Sequence, residues 1–233
     1  MIYIKMGISG SNTNNQTERE SNKSSIKKAE GDQNENIHEI KEVIFDAKTN
    51  EIYQLKTYEQ ATCKIRFKTF KDNRIIKGFG IGFFCEIKDK NLPFNKALFT
   101  SCHILGKNNL TINKSIEFEY CGKITKINIR KNRNIFINEE LDYTCVEVFD
   151  SDNINIYKFF NIDKTLFNDK NFLIKKEIFI LQYTNDNLSY QCGKILDIKK
   201  NKIEYILGTK NAPSGSPLIN KYNNHLVIGM LIG

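Results

Sequence analysis

Thr62-Cys63-Lys64-Ile65-Arg66-Phe67 is followed, after the turn-forming Lys71-Asp72-Asn73-Arg74, by Gly78-Phe79-Gly80-Ile81-Gly82-Phe83-Phe84-Cys85-Glu86-Ile87. The first run alternates polar and apolar residues with period two, as a half-buried strand does. The second reads as a glycine-bearing strand. Asn91-Leu92-Pro93 then turns the chain into Lys96-Ala97-Leu98-Phe99-Thr100-Ser101, a further strand. Working outward, strands are predicted over 115–120, 123–129, 143–149, 178–183, 189–198, 202–207, 216–220 and 226–232. Many short strands with little helix predict an all-β chain, an antiparallel barrel or sandwich. The sequence contains no periodic repeat.

The strand pattern begins at Ala61. Residues 1–37 are polar, with few large apolar side chains after Met6, and are expected to stay disordered because they bury too little surface to offset ordering entropy. Residues 38–60 form a lead-in segment of mixed polarity, with helix expected over 52–61. The folded domain is expected over 61–233.

Of the 233 residues 40% are hydrophobic, enough for one sizeable domain or a compact two-lobed one. The formal net charge is +8. A nucleic-acid-binding β protein would carry such a charge and would show steeply salt-dependent binding. Here acidic and basic residues are interspersed and form no basic arm, so no nucleic-acid partner is expected. The six cysteines, at 63, 85, 102, 121, 145 and 192, form no CxxC pair and sit mostly in apolar runs. They read as reduced thiols of a cytoplasmic protein, and neither a metal site nor a cofactor is expected. No apolar run approaches the roughly 18–20 residues of a membrane-spanning helix. Met6-Gly7-Ile8-Ser9-Gly10-Ser11 fits an N-myristoylation pattern, with Gly7 as acceptor if translation starts at Met6. A single acyl chain would give only weak, peripheral membrane association.

Asn211-Ala212-Pro213-Ser214-Gly215-Ser216-Pro217-Leu218-Ile219 places a serine in a tight, glycine-bearing loop just before an apolar strand. Alone it reads equally as a turn. Its chemistry depends on a base and a carboxylate elsewhere. Of the three histidines, His38 lies in the N-terminal segment and His225 beside a polar turn, whereas His103 ends the strand that runs through Phe99-Thr100-Ser101. A strand-terminal histidine is well placed to act as general base. Asp142 stands at the mouth of Tyr143-Thr144-Cys145-Val146, where it can accept the histidine Nδ1–H and fix the tautomer.

The order His103, Asp142, Ser214 and the runs around these residues resemble the trypsin-like serine peptidases of the chymotrypsin fold, in particular the compact branch that includes the glutamyl endopeptidases. The glycine-bearing strand at 78–84 is similar to that family's Gly-x-Gly strand, Phe99–His103 to its Thr-Ala-Ala-His strand, Leu141–Val146 to its Asp-Leu-Ala strand, and Ser214-Gly215-Ser216-Pro217 to its nucleophile loop. The resemblance covers about 61–233. It implies two antiparallel six-stranded-type β-barrels, the first over about 61–150 and the second over about 170–233. It also implies a serine endopeptidase acting on protein or peptide substrates through an acyl-enzyme. His103, Asp142 and Ser214 would be the triad, and the backbone N–H groups of Ala212 and Ser214 the oxyanion hole.

Several positions depart from the family pattern. Ala212 stands where the family has glycine. No activation end of the Ile-Val-Gly-Gly type occurs, and Pro213 replaces the aspartate that would pair with it. Strands that complete the second barrel in the family are not found after 226–233, so that barrel is expected to be incomplete. Gly208 and Thr209 match the base of the S1 pocket and Leu231 its wall. Gly208 disfavours cleavage after Lys or Arg. Thr209 matches the Glu/Gln-cleaving branch, but Leu231 stands where that branch has histidine, which leaves a neutral or apolar P1 residue. The rival reading is a catalytically impaired, protease-like binding module.

Overall fold

The computed structural model describes residues 5–6 and 56–232, apart from 72–73, 155, 157, 164–168, 185–186, 200–201, 208–212 and 222–225. In chain order the strands are β1 (Lys5–Met6), β2 (Thr62–Lys71), β3 (Arg74–Glu86), β4 (Lys96–Thr100), β5 (Ser115–Tyr120), β6 (Lys123–Asn128), β7 (Ile135–Asn138), β8 (Tyr143–Glu147), β9 (Phe160–Asn161), β10 (Glu177–Thr184), β11 (Asn187–Lys199), β12 (Lys202–Leu207), β13 (Pro217–Asn220) and β14 (Val227–Met230). One sheet runs in the order β6-β5-β2-β3-β4-β8-β7, with β9 added in parallel to β3. The other runs β1-β12-β11-β10-β13-β14. The chain is therefore all-β and two-sheeted, each sheet a curled half-barrel.

The alternation in the opening hairpin decides which side chain enters which core. β2 and β3 pair without interruption from Thr62↔Phe83 to Lys71↔Arg74. On β3, Phe83 and Cys85 face the core shared with the second sheet, while Phe84 points into the first half-barrel. Phe84 is fully buried and meets the rings of Phe118 and Tyr120 edge-on, with centroids 5.8 and 5.6 Å apart. Removing a buried aromatic ring of this kind costs about 3–5 kcal/mol. The second core gathers Ile178, Ile180, Leu181, Ile195, Leu218, Ile219 and Ile228 around β10 and β13.

The segment between the sheets is bonded to both. Phe160 and Asn161 pair with Cys85 and Glu86, Ile162 bridges to Val227, and the Asp163 N–H donates to the Val227 carbonyl at 2.8 Å. The Asp163 carboxylate is fully buried and accepts from Asn220 Nδ2 at 2.9 Å. β7 and β9 were not anticipated from the sequence. β7 is half-buried along its whole length and β9 is two residues long, so neither carries the period-two signal. Lys5 and Met6, within the stretch expected to be disordered, pair in parallel with Lys202 and Ile203. Residues 56–59 are helical, within the expected lead-in helix. The remainder of 1–55 lies outside the described residues.

One buried cation braces the first sheet. Arg133 donates from Nε to the Asn128 carbonyl (3.0 Å) and from Nη1 to the Glu147 carbonyl (2.5 Å), and forks onto both oxygens of Asp152 (2.9 and 2.5 Å). The two charged side chains are 0% and 2% exposed. Arg133→Ala is expected to destabilise the protein by about 3–5 kcal/mol in chemical denaturation, because it strands the Asp152 charge in the interior. A loss below about 1 kcal/mol would contradict this role.

All six cysteines are free; Cys63, Cys85, Cys102 and Cys145 are buried and Cys121 is exposed. Burial pushes the thiols of Cys63, Cys85 and Cys145 well above their usual range. These groups stay protonated in the native state, while in the unfolded chain they ionise near pH 8.5. Native protein then binds more protons than unfolded protein, and stability falls as pH rises through that value, by up to about 1.4 kcal/mol per pH unit for each thiol. Urea denaturation from pH 7 to 10 is expected to show the decline, and Cys63→Ala to make it shallower than in the parent.

Candidate active site

β4 ends at Thr100 and the chain turns at once. The Ile104 and Leu105 N–H groups both donate to the Ser101 carbonyl at 3.1 Å, which holds His103 on a single helical turn. Thr144, buried on β8, clamps that turn by donating its hydroxyl to the Leu105 carbonyl at 2.8 Å. Asp142 immediately precedes β8 and adopts a left-handed backbone, φ 48°. Such a conformation costs a non-glycine residue about 1–2 kcal/mol. Three hydrogen bonds offset the cost: its carbonyl accepts the Cys102 N–H (3.2 Å), Oδ1 accepts the His103 N–H (2.9 Å), and Oδ2 lies 2.7 Å from His103 Nδ1.

This contact sets the state of the ring. An ionised carboxylate only accepts, so Nδ1 carries the proton and Nε2 keeps its lone pair. The histidine side chain is 44% exposed and the aspartate 21%, so the base faces outward while its partner is shielded. Burial, and next the Asp142 charge, raise the neighbouring Cys102 thiol above its ordinary range. That thiol stays protonated beside the pair.

Ser214 sits on a turn whose backbone is tied on several sides. The Ser216 N–H and hydroxyl both donate to the Pro213 carbonyl, at 3.3 and 2.5 Å. Gly215, at φ 85°, supplies the positive φ that the third residue of a type II turn requires. The Gly215 N–H donates to the Leu231 carbonyl (2.8 Å), the Leu231 N–H to the Ser216 carbonyl (2.8 Å), and the Ile81 N–H to the Ser214 carbonyl (2.9 Å). Among the described residues no acceptor takes the Ser214 N–H.

Two glycines bring the turn and the histidine together. A methyl group on Gly215 would lie 1.9 Å from the Ile81 carbonyl oxygen. One on Gly80 would lie 2.0 Å from Ile104 Cδ1 and 3.2 Å from the Ser214 carbonyl oxygen. Gly80 therefore fits between the neighbour of His103 and the backbone of Ser214. The Leu231 carbonyl forms a second link, because it also accepts from the buried Ser101 hydroxyl at 3.2 Å. Thr100 adds a third, donating its hydroxyl to the Ile81 carbonyl at 2.8 Å. Among the described residues no hydrogen bond joins the Ser214 hydroxyl to His103.

The structure thus pairs His103 with Asp142 and carries Ser214 on the adjoining turn. Leu231 is buried directly after β14. Ala212, Gly208, Thr209, Gly7, His38 and His225 lie outside the described residues. Sequence reasoning missed Ser101, Thr144 and the part played by Thr100. Their only signal is a hydroxyl set among apolar strand residues, which does not say where the hydroxyl points. Among the described residues no group of three side chains is arranged to hold a metal, and no helix is long and apolar enough to cross a membrane.

No family model matches the sequence, and no curated protein matches it. The chain is similar in structure to a serine protease of a human pathogenic astrovirus, at 17% identity over 72% of this chain and 80% of that one, with a TM-score of 0.47. It is also similar to the inactive form of the Rv3671c protease of M. tuberculosis (15% identity, 77% and 79% covered, TM-score 0.48). A third similarity is to the serine endoprotease of Yersinia pestis, at 15% identity over 80% of this chain and 58% of that one, with a TM-score of 0.49.

Gly215→Ala tests the contact beneath Ser214. The unfavourable φ alone costs about 1–2 kcal/mol, and the overlap with the Ile81 carbonyl adds to it. The variant is expected to lose more than about 2 kcal/mol in urea, with faster hydrogen exchange at the Ile81 amide. Unchanged protection of that amide would show that the turn does not rest on β3.

Proposed function

We propose that the chain is a serine endopeptidase that hydrolyses peptide bonds through an acyl-enzyme. The observation that carries this reading is the two-point bond of Asp142 to the His103 backbone and Nδ1, which leaves Nε2 without a protein partner among the described residues and open to act as the base. In the proposed cycle His103 Nε2 takes the hydroxyl proton as Ser214 Oγ attacks the scissile carbonyl. Asp142 stabilises the imidazolium, which then protonates the leaving amine. The Ser214 N–H, with that of Ala212, holds the oxyanion. Water enters on the same base and releases the acyl group, which regenerates Ser214.

Leu231, apolar and buried where a polar partner would select Glu or Gln, supports a neutral or apolar P1 residue. Six unpaired thiols suit a reducing, cytoplasmic setting. Acylation of Gly7 would add a peripheral membrane attachment.

The rival reading, a binding module with this fold and no turnover, is favoured by the lack of a hydrogen bond between Ser214 and His103. Alanine in place of the family's glycine at 212 points the same way. A fluorophosphonate probe separates the two. Labelling of the wild type is expected, with none in Ser214→Ala and a drop of about 10⁴-fold in rate for Asp142→Asn, which holds the wrong tautomer. Folded wild type that takes no label would establish the binding module instead.

A further inference from the structure

β2 extends to Lys71 and β5 begins at Ser115, yet they pair only at Lys64↔Glu119 and Ile65↔Phe118. Beyond Ile65 the two strands part, and among the described residues no other strand pairs with β2 on that side. The gap opens onto a cavity of about 130 Å³ with Ile65, Ile104 and Ile116 in its lining. A volume of this order accepts one ring or branched aliphatic side chain; it is too small for a typical metabolite or cofactor.

The polar lining of this cleft is four donors, Arg66, Asn109, Lys114 and Ser115, and one acid, Glu117. Lys114 Nζ donates to the Asn108 carbonyl at 2.7 Å, and Arg66 donates from Nη2 to Glu119 Oε2 at 2.9 Å from a side chain that is 62% exposed. Exposed contacts of this kind contribute little and are readily exchanged for a ligand carboxylate. Neither the Ser115 hydroxyl nor the Asn109 side chain makes a hydrogen bond among the described residues. Glu117 pairs with Lys126 at 2.8 Å and Glu119 with Arg66, which leaves Lys114 as the lining cation with no carboxylate partner among the described residues. A chain of formal charge +8 also draws acidic segments from a distance.

We propose that this cleft docks an extended acidic segment of a partner protein. One aliphatic side chain fills the cavity, the flanking carboxylates meet the Arg66 and Lys114 rim, and the parted edges of β2 and β5 offer main-chain hydrogen bonds. The cleft shares Ile104 with the wall that packs Gly80 beside Ser214, but docking there goes beyond the peptidase reading.

The test uses the full chain and a fluorescein-labelled peptide Asp-Glu-Ile-Asp-Glu, read by fluorescence polarisation. It is run in Ser214→Ala protein as well, so that cleavage cannot pass for lost binding. Saturable binding is expected, at least tenfold weaker when the isoleucine is alanine. A similar loss is expected in Lys114→Glu, checked as folded by circular dichroism. The peptide with lysine at the four acidic positions is expected to bind Lys114→Glu better than the parent. Absence of saturable binding, equal affinity for the acidic and lysine peptides, or indifference to Lys114→Glu overturns the proposal. So does a concentration-dependent dimer that Lys114→Glu dissociates, which would assign the cleft to a second copy of the chain.

Discussion

The two sheets are held together where backbone touches backbone. The Ile81 peptide donates to the Ser214 carbonyl, and the Ile81 carbonyl oxygen lies where a side chain on residue 215 would have to go. Such an approach is open only to glycine, and it fixes the Ser214 turn against β3 to within a hydrogen-bond length. The rest of the site is arranged around this contact. Thr100 bonds the same Ile81 carbonyl from β4, so the strand leading to His103 is referenced to the peptide that holds Ser214. The Leu231 carbonyl repeats the device, taking Gly215 from one side and Ser101 from the other. Histidine and serine come from different sheets, yet the segments that carry them are both held to the backbone of the same two residues, Ile81 and Leu231.

Much of the architecture was legible in the sequence because the informative strands each bury one face. β5 and β12 fall on the expected residues, β2, β10 and β11 differ from expectation only in reaching further toward their turns, and β3 starts earlier, at Arg74, and ends at Glu86 rather than Ile87. Those extensions are stabilised by ladder partners rather than by alternation, as in β2, which follows β3 as far as Lys71↔Arg74. β7 and β9 escaped for the converse reason. Each owes its conformation to a neighbour, β8 or β3, and its own side chains carry no periodic signal.

The candidate site shows a similar division. His103, Asp142 and Ser214 could be picked out because each stands beside a strand and the three follow a familiar order. The parts that hold them could not. Thr144 and Ser101 are ordinary strand and turn residues until the fold aims their hydroxyls at the Leu105 and Leu231 carbonyls. The left-handed backbone of Asp142 is equally silent in sequence, since aspartate enters that region only when its carbonyl and carboxylate find partners elsewhere.

The position of Leu231 has a consequence in time. Its peptide group joins the Ser214 turn to the strand before His103, and the adjoining β14 also receives the inter-sheet segment at Val227. A ribosome makes these residues after every other member of the site and releases them from its tunnel last. Until then Ser214 and His103 are on one nascent chain but lack the second of the links between them. The order of synthesis therefore joins the Ser214 turn to the strand before His103 only after every described strand has been made.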